Sequence, residues 1–436
     1  MKKSLLSLTA TILVPVMALA QSVTVINPES ALDYGGTMCV TMSENGQFIA
    51  GSSQEYAGFI MNLADGEIIY DDPVDDYGCE VRGVSNAGVG VGMNGNSAPR
   101  IDFATGEKTD LETPEGFVSI ANAITPDGSI AVGLYYDAAT YVEKPCYWDA
   151  EGAIHELPET NAEELGFEYN GSRAVAVSDD GKTIVGYVID NFAGNPPIIW
   201  RLDEDETSDT FGQWVYDIAI ILDKFEPGYG DKAYWVMTPI SLSHNGKYVS
   251  LKLAMNDENF SNGVGLFDIE EGTLTEVPMT DEMKQNDFFP ASVSNNGDMV
   301  GYFGMMMSLS PFIFKNTGEE GAQLQPMADF FGEDISDDAL LALLTSERTI
   351  PCVISADGTK IAGWAIDSSD WSFYSYIIDL NGKSGINDIA ISNNSADGQP
   401  HEVARFNTSG MRVSDNARGL NIVMMSDGSA RKVLVK

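Results

Sequence analysis

Apolar runs alternate along this chain with short polar turns, and the turns share one composition. The turn glycines are Gly46, Gly88, Gly128, Gly181, Gly246, Gly297 and Gly358. Three residues before each stands a hydroxyl: Ser43, Ser85, Thr125, Ser178, Ser243, Ser294 and Ser355. Just before the glycine come Asn45, Ala87, Asp127, Asp180, Asn245, Asn296 and Asp357. Asp-Gly and Asn-Gly between apolar runs are the strongest short-range hairpin signal, because both residues accept positive φ at little cost. The preceding Ser or Thr can bond back to the turn amides. The second run often ends in glycine, as at Gly51, Gly133, Gly186, Gly301 and Gly363, and repeat five has Leu251 there instead.

A third run with an aromatic or apolar centre follows in each repeat, for example Cys146–Trp148, Ile198–Arg201 and Pro311–Phe314. After a second glycine turn comes a short fourth run, such as Ile154–Leu157 or Leu274–Val277. The unit is therefore four antiparallel strands, recurring every 52 residues on average between Gly46 and Gly358. Four-stranded units repeated around an axis hide their sheet edges in a β-propeller. The expected fold class is all-β: a propeller of seven blades, with six or eight as the neighbouring counts, over residues 21–384. Alternating Val23-Thr24-Val25-Ile26 can supply the strand that the last blade lacks and so close the ring.

The pattern Ser-x-Asp-Gly-x-x-Val-x-Gly, followed by an aromatic strand and a Gly turn, resembles extracellular propeller repeats with Ala-Phe-x-Trp signatures. It is more distantly similar to TolB-type and WD40-type blades. That resemblance covers roughly residues 38–383; it implies fold and export and brings no catalytic residue with it. Repeat two departs from it at Ala87 and repeat five at Leu251.

If the Ser-x-Asp-Gly turn joins strands one and two, it shares a face with the three-to-four turns. The two-to-three loops and blade connectors then occupy the other face, where Glu159–Arg173, Asp203–Thr238 and Gly318–Arg348 are long. Asp337–Ser346 has the spacing of a capped amphipathic helix, and Gln213–Lys224 is a second helix candidate. The two-to-three loops carry Tyr135, Tyr136, Tyr141, Tyr187, Phe192, Tyr302, Trp364 and Trp371. Aromatics beside polar groups stack on sugars or hold an extended peptide, so these eight are the candidate ligand-binding residues. Packing between blades is the competing role for those that follow a glycine.

The ends read differently. Lys2 and Lys3, an apolar run from Leu5 to Leu19 and Ala18-Leu19-Ala20 make residues 1–20 an expected secretory signal peptide. No later apolar run is long enough to be a transmembrane segment. Residues 385–436 include Arg405-Phe406-Asn407-Thr408-Ser409-Gly410-Met411-Arg412-Val413, Arg418-Gly419-Leu420-Asn421-Ile422-Val423 and Gly428-Ser429-Ala430-Arg431-Lys432-Val433. This resembles the C-terminal sorting domain read by the type IX secretion system of Bacteroidetes, although Phe406 and Asn421 stand where that family has tyrosines. The resemblance implies a β-rich sorting or anchoring module that engages secretion machinery. Arg405 to Lys436 carries a net charge of +4 on a chain of −41.

Such an acidic balance repels phosphate backbones, so no nucleic acid partner is expected. The three histidines, His155, His244 and His401, suggest no zinc site and no Ser-His-Asp set, and His244 reads as a simple turn residue. No cofactor is implied. The acidic runs Asp71–Asp76 and Asp203–Asp209 could bind Ca²⁺ through their carboxylates but lack the usual loop spacing, and solvated acidic loops are the favoured reading. Of Cys39, Cys79, Cys146 and Cys352, the first two lie on equivalent strands of adjacent repeats, so a Cys39–Cys79 disulfide and buried free thiols are both open. The expected function is non-catalytic binding of a glycan or protein at the cell surface or in the periplasm. The rivals are a glycan hydrolase or lyase with carboxylates at the central funnel, and a structural or adhesive surface protein.

Overall fold

A computed structural model describes residues 22–26, 34–76, 78–159, 170–189, 195, 197–216, 234–255, 262–305, 308–318, 322–332, 337–346, 348–367, 371–380, 402–407, 419–425 and 430–435. Seven four-stranded antiparallel sheets follow one another as blades of a β-propeller. Their first strands are Thr37–Met42, Cys79–Val84, Phe117–Ile124, Ser172–Val177, Tyr234–Leu242, Phe288–Val293 and Thr349–Ile354. Each touches the first strand of the next blade, all the way round, so these strands form the wall of the axis. The seventh blade contributes only three strands from its own repeat, and Ser22–Ile26 supplies the fourth, pairing Val23 with Ile378 and Ile26 with Ser375. The last sheet, Glu402–Asn407, Gly419–Met425 and Ala430–Val435, is three-stranded, antiparallel and in sequence order.

Apolar side chains of neighbouring blades interlock into a continuous series of cores. Trp148 and Trp200 sit on third strands, fully buried, with their indole N–H groups donating to Glu112 O at 2.8 Å and Pro158 O at 3.1 Å. Those bonds relieve the cost of burying a polar N–H with the ring. Hydroxyls tie blades together: Thr37 Oγ1 lies 2.8 Å from Ser375 Oγ of blade 7, and Ser119 Oγ accepts from the Ala98 amide of blade 2. In blade 4 the matching Ser172 Oγ has no partner, because Pro145 stands where Ala98 does and has no N–H to give.

The helix expected at Asp337–Ser346 forms over Asp338–Thr345, with Asp337 capping the amides of Ala339 and Leu340. The second helix candidate is corrected at its start: Trp214–Tyr216 is the fourth strand of blade 4, pairing Tyr216 with Trp200. Residues 217–224 lie outside the described set.

Of the two states left open for Cys39 and Cys79, the structure has the free thiols, and Cys146 and Cys352 are free as well. Cys39 pairs with Gly51 across its sheet and Cys79 with Asn94, so Cys79 matches Thr37 in register rather than Cys39. The Cys79 thiol bonds Asp71 at 3.1 Å and the Cys39 thiol bonds Thr41 O at 3.3 Å. Burial pushes the Cys39 thiol up to about 12, which leaves it un-ionised and unreactive at neutral pH.

Candidate functional site: the axial channel and its two faces

Every first strand carries a bulge at the same height. The extra residue is Val40, Arg82, Asn122, Val175, Ala291 or Cys352, and blade 5 inserts two, Thr238 and Pro239. A bulge pushes the strand edge outward and re-aims its side chains. Here it sets a polar layer across part of the channel. Arg82 donates through Nε to Glu80 at 2.7 Å and through Nη1 to Asn122 at 3.0 Å, and Asn122 Nδ2 donates to Ala174 O at 2.7 Å. The field of Arg82 reaches Tyr187 in blade 4, and that of Glu80 reaches Cys352 in blade 7.

On the turn side of that layer is a cavity of 150 Å³, walled by Met42, Val84, Ile124, Val177, Leu242 and Val353. Its rim is made by the second residue of the repeated turn, among them Glu44, Pro126, Asp179 and His244. Adjacent turns are stitched together at this position: the Asn86 amide donates to Pro126 O, Asp179 to His244 O and Asn295 to Ala356 O. Asn86 Nδ2 donates to Glu44 at 3.0 Å, and His244 Nδ1 lies 2.8 Å from Asp179 Oδ1. His244 is thus one of a ring of groups at the channel mouth. The third turn residue does the local work: Asp127 Oδ1 accepts from Thr125 and from the Ser129 amide, and these bonds hold its carboxyl below the usual range.

The eight sequence-selected aromatics fall into three groups. Tyr187, Tyr302 and Trp364 each follow a second-strand glycine and are equivalent in register, opposite Arg173, Phe289 and Ile350. They are half-buried. Arg173 lies over the Tyr187 ring at 5.3 Å, Phe289 stacks on Tyr302 at 4.8 Å and Phe373 meets Trp364 edge-on at 5.3 Å. Tyr135 is a core residue instead, because strand Ala131–Asp137 runs past the expected loop start and alternation turns this ring inward. Burial and the Glu156 carboxylate that its hydroxyl bonds both push its phenol up.

Tyr136 stacks on Tyr141 at 6.0 Å, and Tyr141 and Trp371 are exposed on the two-to-three loops, at 70% and 57%. Phe192 lies outside the described residues. A third exposed loop aromatic, Tyr56, was not singled out by the sequence, and is 67% exposed. Among the described residues, Tyr56, Tyr141 and Trp371 are the non-glycine positions with positive φ, at 62°, 57° and 63°.

The ionisable groups near the aromatic layer are paired: Arg173 holds Glu143 through two bonds, and buried Lys252 holds Asp287 at 2.5 Å while lying 4.6 Å over Phe289. The acidic runs fold back on themselves or on neighbours. Asp71 accepts from Lys108, Asn94 and Cys79, and Asp203 and Asp205 accept from their own loop. Among the described residues, no three of His, Cys, Asp and Glu gather as metal ligands.

No protein-family profile matches this sequence, and no curated protein matches it. Solved structures do. The oligogalacturonate lyase of Vibrio parahaemolyticus matches at TM-score 0.50 and 10% identity, over 83% of this chain and 97% of that one. The Cps50 (Swd1) propeller domain of Myceliophteria thermophila matches at TM-score 0.47 and 10% identity, over 82% and 99%. TolB from Acinetobacter baumannii matches at 0.39 and 17%, over 65% and 66%. At such identities the likeness is one of fold. The chain is a seven-bladed β-propeller.

Proposed function

We propose that this chain is an exported binding propeller that holds a glycan against the face bearing its two-to-three loops. One observation carries this: Tyr56, Tyr141 and Trp371 are exposed aromatics of blades 1, 3 and 7 held in left-handed backbone. A bulky residue there costs about 1–2 kcal/mol, and such strain concentrates at functional positions. Glycine would serve the loop better, so the ring itself is what the position retains. Aromatic faces on one side of a disc offer stacking platforms for sugar rings.

Exchanging Tyr141 and Trp371 for glycine separates the two roles. Thermal stability is expected to hold or rise by up to about 1 kcal/mol, while affinity for the glycan, read on a glycan array and by titration, falls at least about tenfold. Full affinity in the double variant would sink the assignment.

One observation favours a second reading, a glycan-active enzyme: the Asp179–His244 pair, on the same channel mouth that Glu44 lines from blade 1. The lyase named above acts on an oligosaccharide within the same fold, which fits. In that case His244→Gln abolishes turnover of an oligosaccharide, and the glycine variants of Tyr141 and Trp371 leave it intact.

Export is part of the same proposal, with residues 1–20 as leader and residues 385–436 as the sorting module that meets the secretion machinery. Removing 385–436 is expected to shift the propeller from the cell surface to the periplasm on fractionation. Unchanged display would remove the sorting role.

A further inference from the structure

The turn face carries a second opening, a groove of 770 Å³ crossing blades 5, 6 and 7. Four asparagines line it: Asn245, Asn295, Asn296 and Asn316. Its lysines are neutralised in place. Lys315 is ion-paired with Asp298 and donates to Gly358 O at 3.3 Å, and Lys247 lies 3.5 Å from Asp268 and 3.4 Å from Glu270. Asp357 is committed to its own turn through Ser355 and Thr359.

The repeat shows why these asparagines stand out. Asn245 Oδ1 accepts from Ser243 Oγ at 2.8 Å and from the Lys247 amide at 3.2 Å. Asp180 does the same with Ser178 and Lys182 in blade 4. The turn in blade 5 uses one oxygen and leaves the second polar atom of the side chain outside, so its chemistry does not choose between Asp and Asn. Blades 1, 5 and 6 place Asn at this position, and two of those three asparagines line this groove, in a chain of net charge −41. The effect is to lower the negative charge of the groove and to edge it with amides. Asn295 Oδ1 accepts from the Asn245 amide at 2.8 Å, and Asn316 Nδ2 donates to Asn296 O at 2.8 Å. Among the described residues, Nδ2 of Asn245, Nδ2 of Asn295 and Oδ1 of Asn316 have no protein partner.

We infer that this groove binds a neutral oligosaccharide. Free amide donors beside free amide acceptors match hydroxyls, each of which gives and takes a hydrogen bond. Tyr248, Phe330 and Leu380 supply apolar surface for the C–H faces of the rings. The volume is within the range of small-molecule sites. The lining has few apolar groups to anchor peptide side chains. This site is on the face opposite the exposed loop aromatics and does not depend on them.

The test titrates the full propeller with neutral cello-, malto-, xylo-, manno- and chitotetraose, and with tetragalacturonate as the charged counterpart. Asn245→Asp with Asn296→Asp keeps the Asn245 turn oxygen, gives up only the long Asn296 Nδ2 bond to Asp357 O at 3.5 Å, and adds charge to the groove. A neutral tetraose is expected to bind the parent protein and to lose about tenfold or more in affinity in this double variant, with the melting temperature unchanged. Tyr248→Ala gives the same loss should the double variant fold poorly. The inference is overturned if no neutral tetraose binds, if tetragalacturonate or a peptide competes as well, or if affinity survives these changes. Loss in the Tyr141 and Trp371 variants alone would put the sugar on the opposite face and overturn it too.

Discussion

Gly186→Ala is expected to destabilise the propeller by about 3 kcal/mol or more, a large effect for adding one methyl group. A Cβ there would lie 1.8 Å from Arg173 O and 2.9 Å from the Trp200 ring. Neither atom can withdraw: the carbonyl is fixed by the bulge that follows it, and Trp200 is fully buried. The same approach recurs at Gly51, Gly92, Gly133, Gly301 and Gly363, 1.9–2.2 Å from Met38, Glu80, Ile120, Phe289 and Ile350 carbonyls. Blade 5 inserts two residues between its paired positions, and there Leu251 fits. Gly265→Ala in that blade is the control, because its Cβ would meet only movable Leu253 and Leu274 side chains at 3.0–3.2 Å. Equilibrium unfolding of both variants decides the matter; equal losses would mean that the bulge does not impose the glycine.

Deleting residues 22–26 is the second large effect. It leaves blade 7 with three strands and strips the Phe373–Asp379 edge of its partner along five paired positions. An unpaired strand at the outer rim recruits other chains. The deleted protein is expected to lose its single sharp melting transition and to elute as aggregate on size exclusion. A monomer that melts cooperatively at the parent temperature would show that the ring holds without its closing strand.

Blade number and hairpins were legible because a Ser-x-Asp/Asn-Gly turn is made by bonds within five residues, as at Ser178 and Asp180, and ring closure because Val23–Ile26 alternate while the last repeat lacks a fourth strand. Leu251 was visible as an exception but not its cause, since the bulge that imposes glycine elsewhere lies on the partner strand. The rim of the channel was hidden for a related reason. The second turn residue varies from Glu44 to His244 to Ala356, and its bonds run to the next blade, forty or more residues away. Among the aromatics, Tyr135 was misplaced by a loop that starts later than its composition suggests. The strained backbone of Tyr56, Tyr141 and Trp371 has no sequence signal at all, because nothing in the residue type announces positive φ.

The closing strand also sets an order of events. Ser22 pairs with Asp379, whereas every other blade is assembled from strands that are near neighbours in sequence. Contacts over short separations form early, and those that close the longest loop wait for the rest. Blades 1 to 6 can each organise as their own strands become available, but the ring stays open until residue 379 has arrived. The five residues at the start of the ring are therefore expected to fold last.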